Sequence, residues 1–263
     1  SGVEDKDGDG LVGSEDCLYV KVFAPSGSTS TDRLPVMYWI HGGGNNSGSM
    51  RTYNGGNLAE SRQVVVVTVQ YRLGALGWFF HPALVGENAG EEDRSGNWAL
   101  LDMICGLEWV RDNIAQFGGD SKNVTIFGES AGGADVLALM LSPRAKGLFH
   151  RAIVQSGGVY TTPMHKGVNF LDDDPPGHAF SSKEIINKIL IRDGKAQDRD
   201  LAKTIQTAMT GARIRDLLYA QNPVAFLKLY NPEGGRNYPS PKMFQDGLVQ
   251  PDKEAMAAFA SGR

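Results

Sequence analysis

The run Gly128-Glu129-Ser130-Ala131-Gly132-Gly133 follows directly on the apolar stretch Val124-Thr125-Ile126-Phe127. A serine placed between a strand and a helix on so tight a turn presents its hydroxyl as a nucleophile. Small residues are needed two places before and after it, because a larger side chain would strike the neighbouring backbone. Gly128 and Gly132 meet that need. A second run, His41-Gly42-Gly43-Gly44, follows another apolar stretch, Val36-Met37-Tyr38-Trp39-Ile40. A glycine loop in that place, about 90 residues before the serine, can turn backbone N–H groups towards a developing oxyanion. The chemistry implied is acyl transfer: Ser130 Oγ attacks a carbonyl carbon, and by the geometry of the turn the N–H of Ala131 binds the oxyanion. His41 is read as a support of the glycine loop.

Such a serine needs a histidine base and a carboxylate, in the chain order serine, acid, histidine. After Ser130 the chain has only His150, His165 and His178, all too early to leave room for the intervening strands. The sequence is therefore read as the front part of an enzyme, with the acid and the histidine expected outside it.

The elements that must hold these groups are legible around them. Residues 18–23 alternate as a strand, and residues 64–69 form a β-branched run without alternation, which implies a strand covered on both faces. A short helix is expected at 56–61, and a buried one at 98–114 ended by Gly118-Gly119. Strand 124–127, helix 133–141 and strand 152–155 complete a βαβ unit. After Gly158 the texture becomes polar and helical, with helices expected at 181–191, 199–209 and 212–218. Asn222-Pro223 and Pro239-Ser240-Pro241 are read as breaks. The expected architecture is α/β, an α/β-hydrolase fold with a mostly parallel central sheet and helices on both faces. It is one domain over residues 1–263, with a sheet core at 17–158, a helical pocket wall at 159–250, and both ends incomplete.

The 263 residues carry a net charge of −4 and a pI near 5.7, with no basic stripe, which argues against a nucleic-acid partner. No apolar run approaches the roughly 18 to 20 residues of a membrane span. Of the two cysteines, Cys105 falls inside the expected helix 98–114 and is read as a small core residue. No cofactor is called for. Residues 1–16 read as an acidic surface loop. Within it Asp5, Asp7 and Asp9, with Asp16 at the twelfth position, resemble half of a calcium loop without its flanking helices, and a solvated turn is the preferred reading.

Taken together, the blocks resemble the type-B carboxylesterases, the group that includes cholinesterases and bile-salt-activated lipases. The resemblance rests on Ser14-Glu15-Asp16-Cys17-Leu18-Tyr19-Val20, Tyr71-Arg72-Leu73-Gly74, Gly96-Asn97, Phe117-Gly118-Gly119-Asp120, the serine block, Gln155-Ser156-Gly157 and Phe244-Gln245-Asp246-Gly247-Leu248-Val249. It implies a small-molecule ester as substrate and Gly43, Gly44 and Ala131 as oxyanion donors. It also implies Glu129 and Ser156 as a pair supporting the serine, and a disulfide from Cys17 to a segment upstream. The remaining C-terminal part of the fold, with a short N-terminal part, is expected as the partner, on the same or a second chain, and the cysteine signature points to secretion. Asn45-Asn46 departs from the aromatic residue usual after the triple glycine, which implies a more polar or reshaped acyl pocket. The alternatives are a non-catalytic adhesion or binding member of the same fold, and a calcium-dependent interaction module.

Overall fold

The computed structural model describes residues 12–231 and 239–261. Seven strands are described: β1 (Val20–Phe23), β2 (Leu34–Ile40), β3 (Val65–Val69), β4 (Gly119–Glu129), β5 (Arg151–Gln155), β6 (Thr162–Pro163) and β7 (Phe244–Gln245). The first five make one sheet in the order β1-β3-β2-β4-β5, and only β1 runs antiparallel to its neighbour. Crossovers between parallel strands need helices, and the chain supplies α1 (Gly56–Arg62), α2 (Trp98–Asn113) and α3 (Ala131–Leu141). Val65, Val67 and Val69 of β3 join Val36, Tyr38 and Ile40 of β2 in a core with Leu100, Met103 and Leu107 of α2 and Val136 and Leu139 of α3. The other face of β3, Val66 and Thr68, is buried too, as the unalternating run implies. On that face Trp39 packs against Tyr53 and Phe127, with ring centroids 5.0 and 4.8 Å apart.

β4 begins five residues before the expected strand, because Gly119 pairs with Leu34 across an irregularity in the register. Helix α3 starts at Ala131, two residues earlier than expected, since the whole chain reversal is made by Ser130 itself. Asn222-Pro223 falls at a break between helices, as expected, and Pro223 also opens the second of them. It is the first residue of helix α8 (Pro223–Lys228), where its missing N–H costs nothing, and Asn222 Oδ1 caps the Ala225 N–H. Between them, α4 (Met164–Val168) packs against the main core through Met164, while α5 (Ser182–Arg192), α6 (Arg199–Ala208) and α7 (Gly211–Tyr219) pack around two smaller apolar clusters, one on Ile185, Ile189 and Phe226, the other on Ile186, Leu190 and Ile214.

Cys105 corrects the sequence reading, for it is exposed. On α2 it shares a stripe with Glu108 and Asp112, three and seven residues on, which faces away from the sheet. Cys17 is half-buried with a free thiol, so the implied disulfide is not present among the described residues, and burial, helped by nearby Asp102, raises its pKa. Asp5, Asp7 and Asp9 lie outside the described residues. Asp16 is exposed, and no cluster of metal-binding side chains occurs among the described residues. No described helix is long and apolar enough to cross a membrane.

The segment 244–250 is tied to the turn before α2 by one carboxylate. Asp246 accepts from Ser95 Oγ, from Asn97 Nδ2 at 3.0 Å, and from the N–H groups of Leu248, Val249 and Gln250 at 3.1, 3.0 and 2.8 Å. Asn97 in turn bonds both backbone groups of Phe244, at 2.9 and 2.8 Å. Asp246→Ala strands several donors at once, and charge-assisted bonds of this kind predict a loss of about 3 kcal/mol, read as a lower urea midpoint. An unchanged midpoint would mean that the tie adds nothing to the fold.

Candidate active site

Ser130 joins the carboxyl end of β4 to the amino end of α3 with φ 57° and ψ −118°, a conformation rarely tolerated by a residue with a side chain. The strand and the helix enforce it: Ser130 N–H donates to the Gln155 carbonyl at 2.9 Å, and its own carbonyl accepts from Ala134 N–H at 3.0 Å. The hydroxyl is left at the exposed end of the sheet. A side chain on Gly128 would meet the carbonyl of Gly132 and, at 2.8 Å, that of Ile40, and one on Gly132 would run into the same Ile40 carbonyl. The glycine spacing around Ser130 is thus a requirement of the close packing between β2, β4 and α3.

The glycine loop lies against this turn. An atom added at Gly42 would sit 3.2 Å from Ser130 Cβ and 2.7 Å from the Glu129 carbonyl oxygen. Gly43 and Gly44 adopt φ 113° and 65°, which favours glycine. The Gly43 carbonyl accepts from the N–H groups of Asn46 and Ser47 at 3.1 and 3.0 Å, so the Gly44 N–H of the same peptide points the opposite way. Likewise the Gly42 carbonyl faces His41 Nδ1 at 2.8 Å, turning the Gly43 N–H outward. Neither N–H, nor that of Ala131, has an acceptor among the described residues. Backbone N–H groups without an internal acceptor are free to bind an anion.

His41 is fully buried, stacked on Tyr71 with ring centroids 4.5 Å apart, and burial lowers its pKa. Its ring contacts are with the Gly42 carbonyl, Gln70 and Tyr71. Glu129 pairs in register with Gln155, which places Glu129 and Ser156 at the carboxyl ends of adjacent strands on either side of the serine, both exposed. Neither side chain is hydrogen-bonded to Ser130 among the described residues. The remaining histidines are engaged or remote. His81 Nδ1 caps Ala83 N–H at 3.1 Å, and burial pushes its pKa down to about 4. His150 accepts from Val124 N–H at 3.1 Å, His178 from Phe180 N–H at 3.1 Å, and His165 lies within α4.

One group escaped the sequence reading. Asp135 lies on α3 one turn after Ala131, fully buried, and its Oδ1 accepts from Asn45 Nδ2 at 2.9 Å. Its signal was present: it is the one charged residue of the otherwise apolar run Ala131–Leu141.

A family model described as the carboxylesterase family matches residues 2–169. Carboxylesterase 1C of Rattus norvegicus is 54% identical over 153 residues, 58% of this chain and 26% of that protein. Liver carboxylesterase 1 of Oryctolagus cuniculus is 54% identical over 144 residues, 55% of this chain and 24% of that protein. Among solved structures, the Geobacillus stearothermophilus carboxylesterase EST55 superposes with a TM-score of 0.70 at 30% identity, covering 100% of this chain and 48% of that one. A thermophilic pNB esterase does so at 0.63 and 34%, covering 95% and 45%. The chain therefore aligns with about a quarter of the curated relatives' length and about half that of the solved structures. With its parallel sheet, sharp serine turn and these neighbours, the architecture is the α/β-hydrolase fold. Since the matched region takes in both Ser130 and the glycine loop packed against it, the chain belongs to the carboxylesterase family.

Proposed function

We propose that this chain provides the nucleophile and the oxyanion hole of a serine carboxylic-ester hydrolase acting on a small-molecule ester. The reading is supported by the close approach of Gly42 to Ser130 and by the N–H groups of Gly43, Gly44 and Ala131, none of which has an acceptor among the described residues. Ser130 Oγ adds to the ester carbonyl carbon as its proton passes to a base. The carbonyl electron pair moves onto oxygen, where the three donors stabilise it, and collapse expels the alcohol to leave an acyl-serine. Water then cleaves that ester by the same steps and releases the acid.

The base and its orienting carboxylate are assigned to polypeptide beyond Arg263 that completes the same sheet. Two observations support this. None of the five histidines is hydrogen-bonded to Ser130, and four are committed to backbone or loop contacts. β5, the strand next to the one that carries Ser130, forms an edge whose apolar residues Ile153 and Val154 are 45% and 37% exposed, as a strand awaiting a neighbour would be. Glu129 and Ser156 are assigned to supporting the serine from the strand ends.

A fluorophosphonate applied to the whole protein should add its mass to the peptide containing Ser130. p-Nitrophenyl acetate should release a burst of about one nitrophenolate per labelled site, the mark of an acyl-enzyme. Absence of both would remove the reading.

A further inference from the structure

The two ends of the glycine loop are held by one continuous set of buried polar contacts that the mechanism above leaves unused. Although Gly43 and Gly44 are exposed, the next residue, Asn45, is fully buried and adopts φ 57°. Its carbonyl accepts from Gly74 N–H at 2.7 Å. Its side chain is bonded at both atoms: Nδ2 donates to Asp135 Oδ1 at 2.9 Å, and Oδ1 lies 3.2 Å from the Tyr71 hydroxyl. That hydroxyl donates at 2.6 Å to the carbonyl of His41, the residue that opens the loop. His41 and Asn45 thus meet through Tyr71, while Asp135 ties Asn45 to α3. Asp135 is four residues after Ala131 and so lies on the same face of that helix, one turn from the third oxyanion donor.

Placing a carboxyl group here costs stability. It is fully buried, and its second oxygen, Oδ2, has no hydrogen-bond partner among the described residues. An apolar side chain would suit the rest of α3, where Val136, Ala138 and Leu139 are core residues. A polar group kept against that cost beside a reactive serine has a role in the geometry of the site.

Resting on the ester-hydrolase reading, we propose that Asn45 and Asp135 are positioning residues for ester hydrolysis. Their hydrogen bond registers the loop against α3, so that the N–H groups of Gly43 and Gly44 converge with that of Ala131 on one oxyanion. Because those donors are loaded only when the oxyanion forms, loosening the clamp lowers kcat and leaves KM nearly unchanged.

The test measures kcat and KM for p-nitrophenyl acetate, fluorophosphonate labelling and thermal midpoints in the whole protein. Asp135→Leu, close in volume but without an acceptor, should lower kcat roughly 30- to 100-fold, since small misplacements of catalytic donors cost about that much. Asp135→Asn, which retains an acceptor for Asn45, should recover most of that loss, a rescue that a bare packing role does not give. Asn45→Gly keeps the positive φ free of strain and deletes the side chain, so it reports on the clamp even if Asp135→Leu fails to fold. It should show the same fall in kcat at constant KM, and combining it with Asp135→Leu should add little. Folded variants with kcat within about threefold of wild type, or Asp135→Asn falling as far as Asp135→Leu, overturn the inference and leave the ester-hydrolase reading standing. Wild-type protein that neither labels at Ser130 nor turns over the ester overturns both.

Discussion

Ser130→Gly should make the protein more stable and catalytically dead. At φ 57° and ψ −118° the serine occupies backbone space that costs a residue with a side chain on the order of 1 to 3 kcal/mol, and glycine enters it without that cost. The backbone contacts that impose the turn, from Ser130 N–H to Gln155 and from Ala134 N–H to the Ser130 carbonyl, need no side chain and persist. The unfolding free energy should therefore rise by about 1 to 2 kcal/mol, less than the full strain because glycine also frees the unfolded chain. Ester turnover should fall by about 10⁶-fold and fluorophosphonate labelling should vanish, the scale seen when a serine nucleophile is removed. Ser130→Ala separates the two effects: its Cβ keeps the strain, so activity is lost with no gain in stability. Turnover within tenfold of wild type in either variant would show that Ser130 is not the nucleophile.

This expectation shows where sequence and structure speak about the same thing. The turn at Ser130 is legible because steric law writes it directly into residue type: glycines must stand at 128 and 132, whose side chains would meet the Ile40 carbonyl. The valine run 64–69 is legible for a similar reason, burial on both faces leaving no place for polar alternation. Two kinds of feature were not. The first depends on which face of a regular element looks outward. Cys105 is surrounded by apolar neighbours in sequence, yet a rotation of about 100° per residue carries it onto the exposed stripe of Glu108 and Asp112. The second depends on pairing between distant segments. Asn45 reads as an odd residue after the glycines and Asp135 as an odd residue in an apolar helix, and only folding, which brings positions 90 apart within 2.9 Å, makes them one unit. Asn222-Pro223 was legible as a break between helices, though not as the start of α8. A proline signals a helix start as well as a break, and the capping asparagine before it was the residue that decides.

Asp135 also makes stability depend on pH in a direction opposite to that of most carboxylates, and its replacement by asparagine should remove that dependence. Burial is the main cause that lifts its pKa to about 8, against the partial relief given by Asn45 and by Lys242, with the exposed ring of Tyr160 also within electrostatic reach. Lys242 is itself pushed down to about 8 by burial, so it enters the neutral range as a weak counter-charge. A carboxyl whose folded pKa lies above its unfolded one binds its proton more tightly in the folded state. Its contribution is therefore fully present below about pH 4, where both states are protonated, and is lost progressively as pH rises towards about 8. At pH 7 the unfolded chain releases that proton while the folded one keeps it, a cost on the order of 4 kcal/mol from some three units of difference. Asparagine fills the same space, still offers Oδ1 to Asn45 and has no proton to lose. Its amide nitrogen meets the same lack of partners as Oδ2, which takes back about 1 to 3 kcal/mol. Urea midpoints of wild type and Asp135→Asn should therefore lie close together near pH 4 and diverge in favour of the variant through pH 7 to pH 8.5. Parallel curves over that range would show that Asp135 does not hold a proton in the folded protein, and that its carboxylate is stabilised by a charge or donor that these contacts do not include.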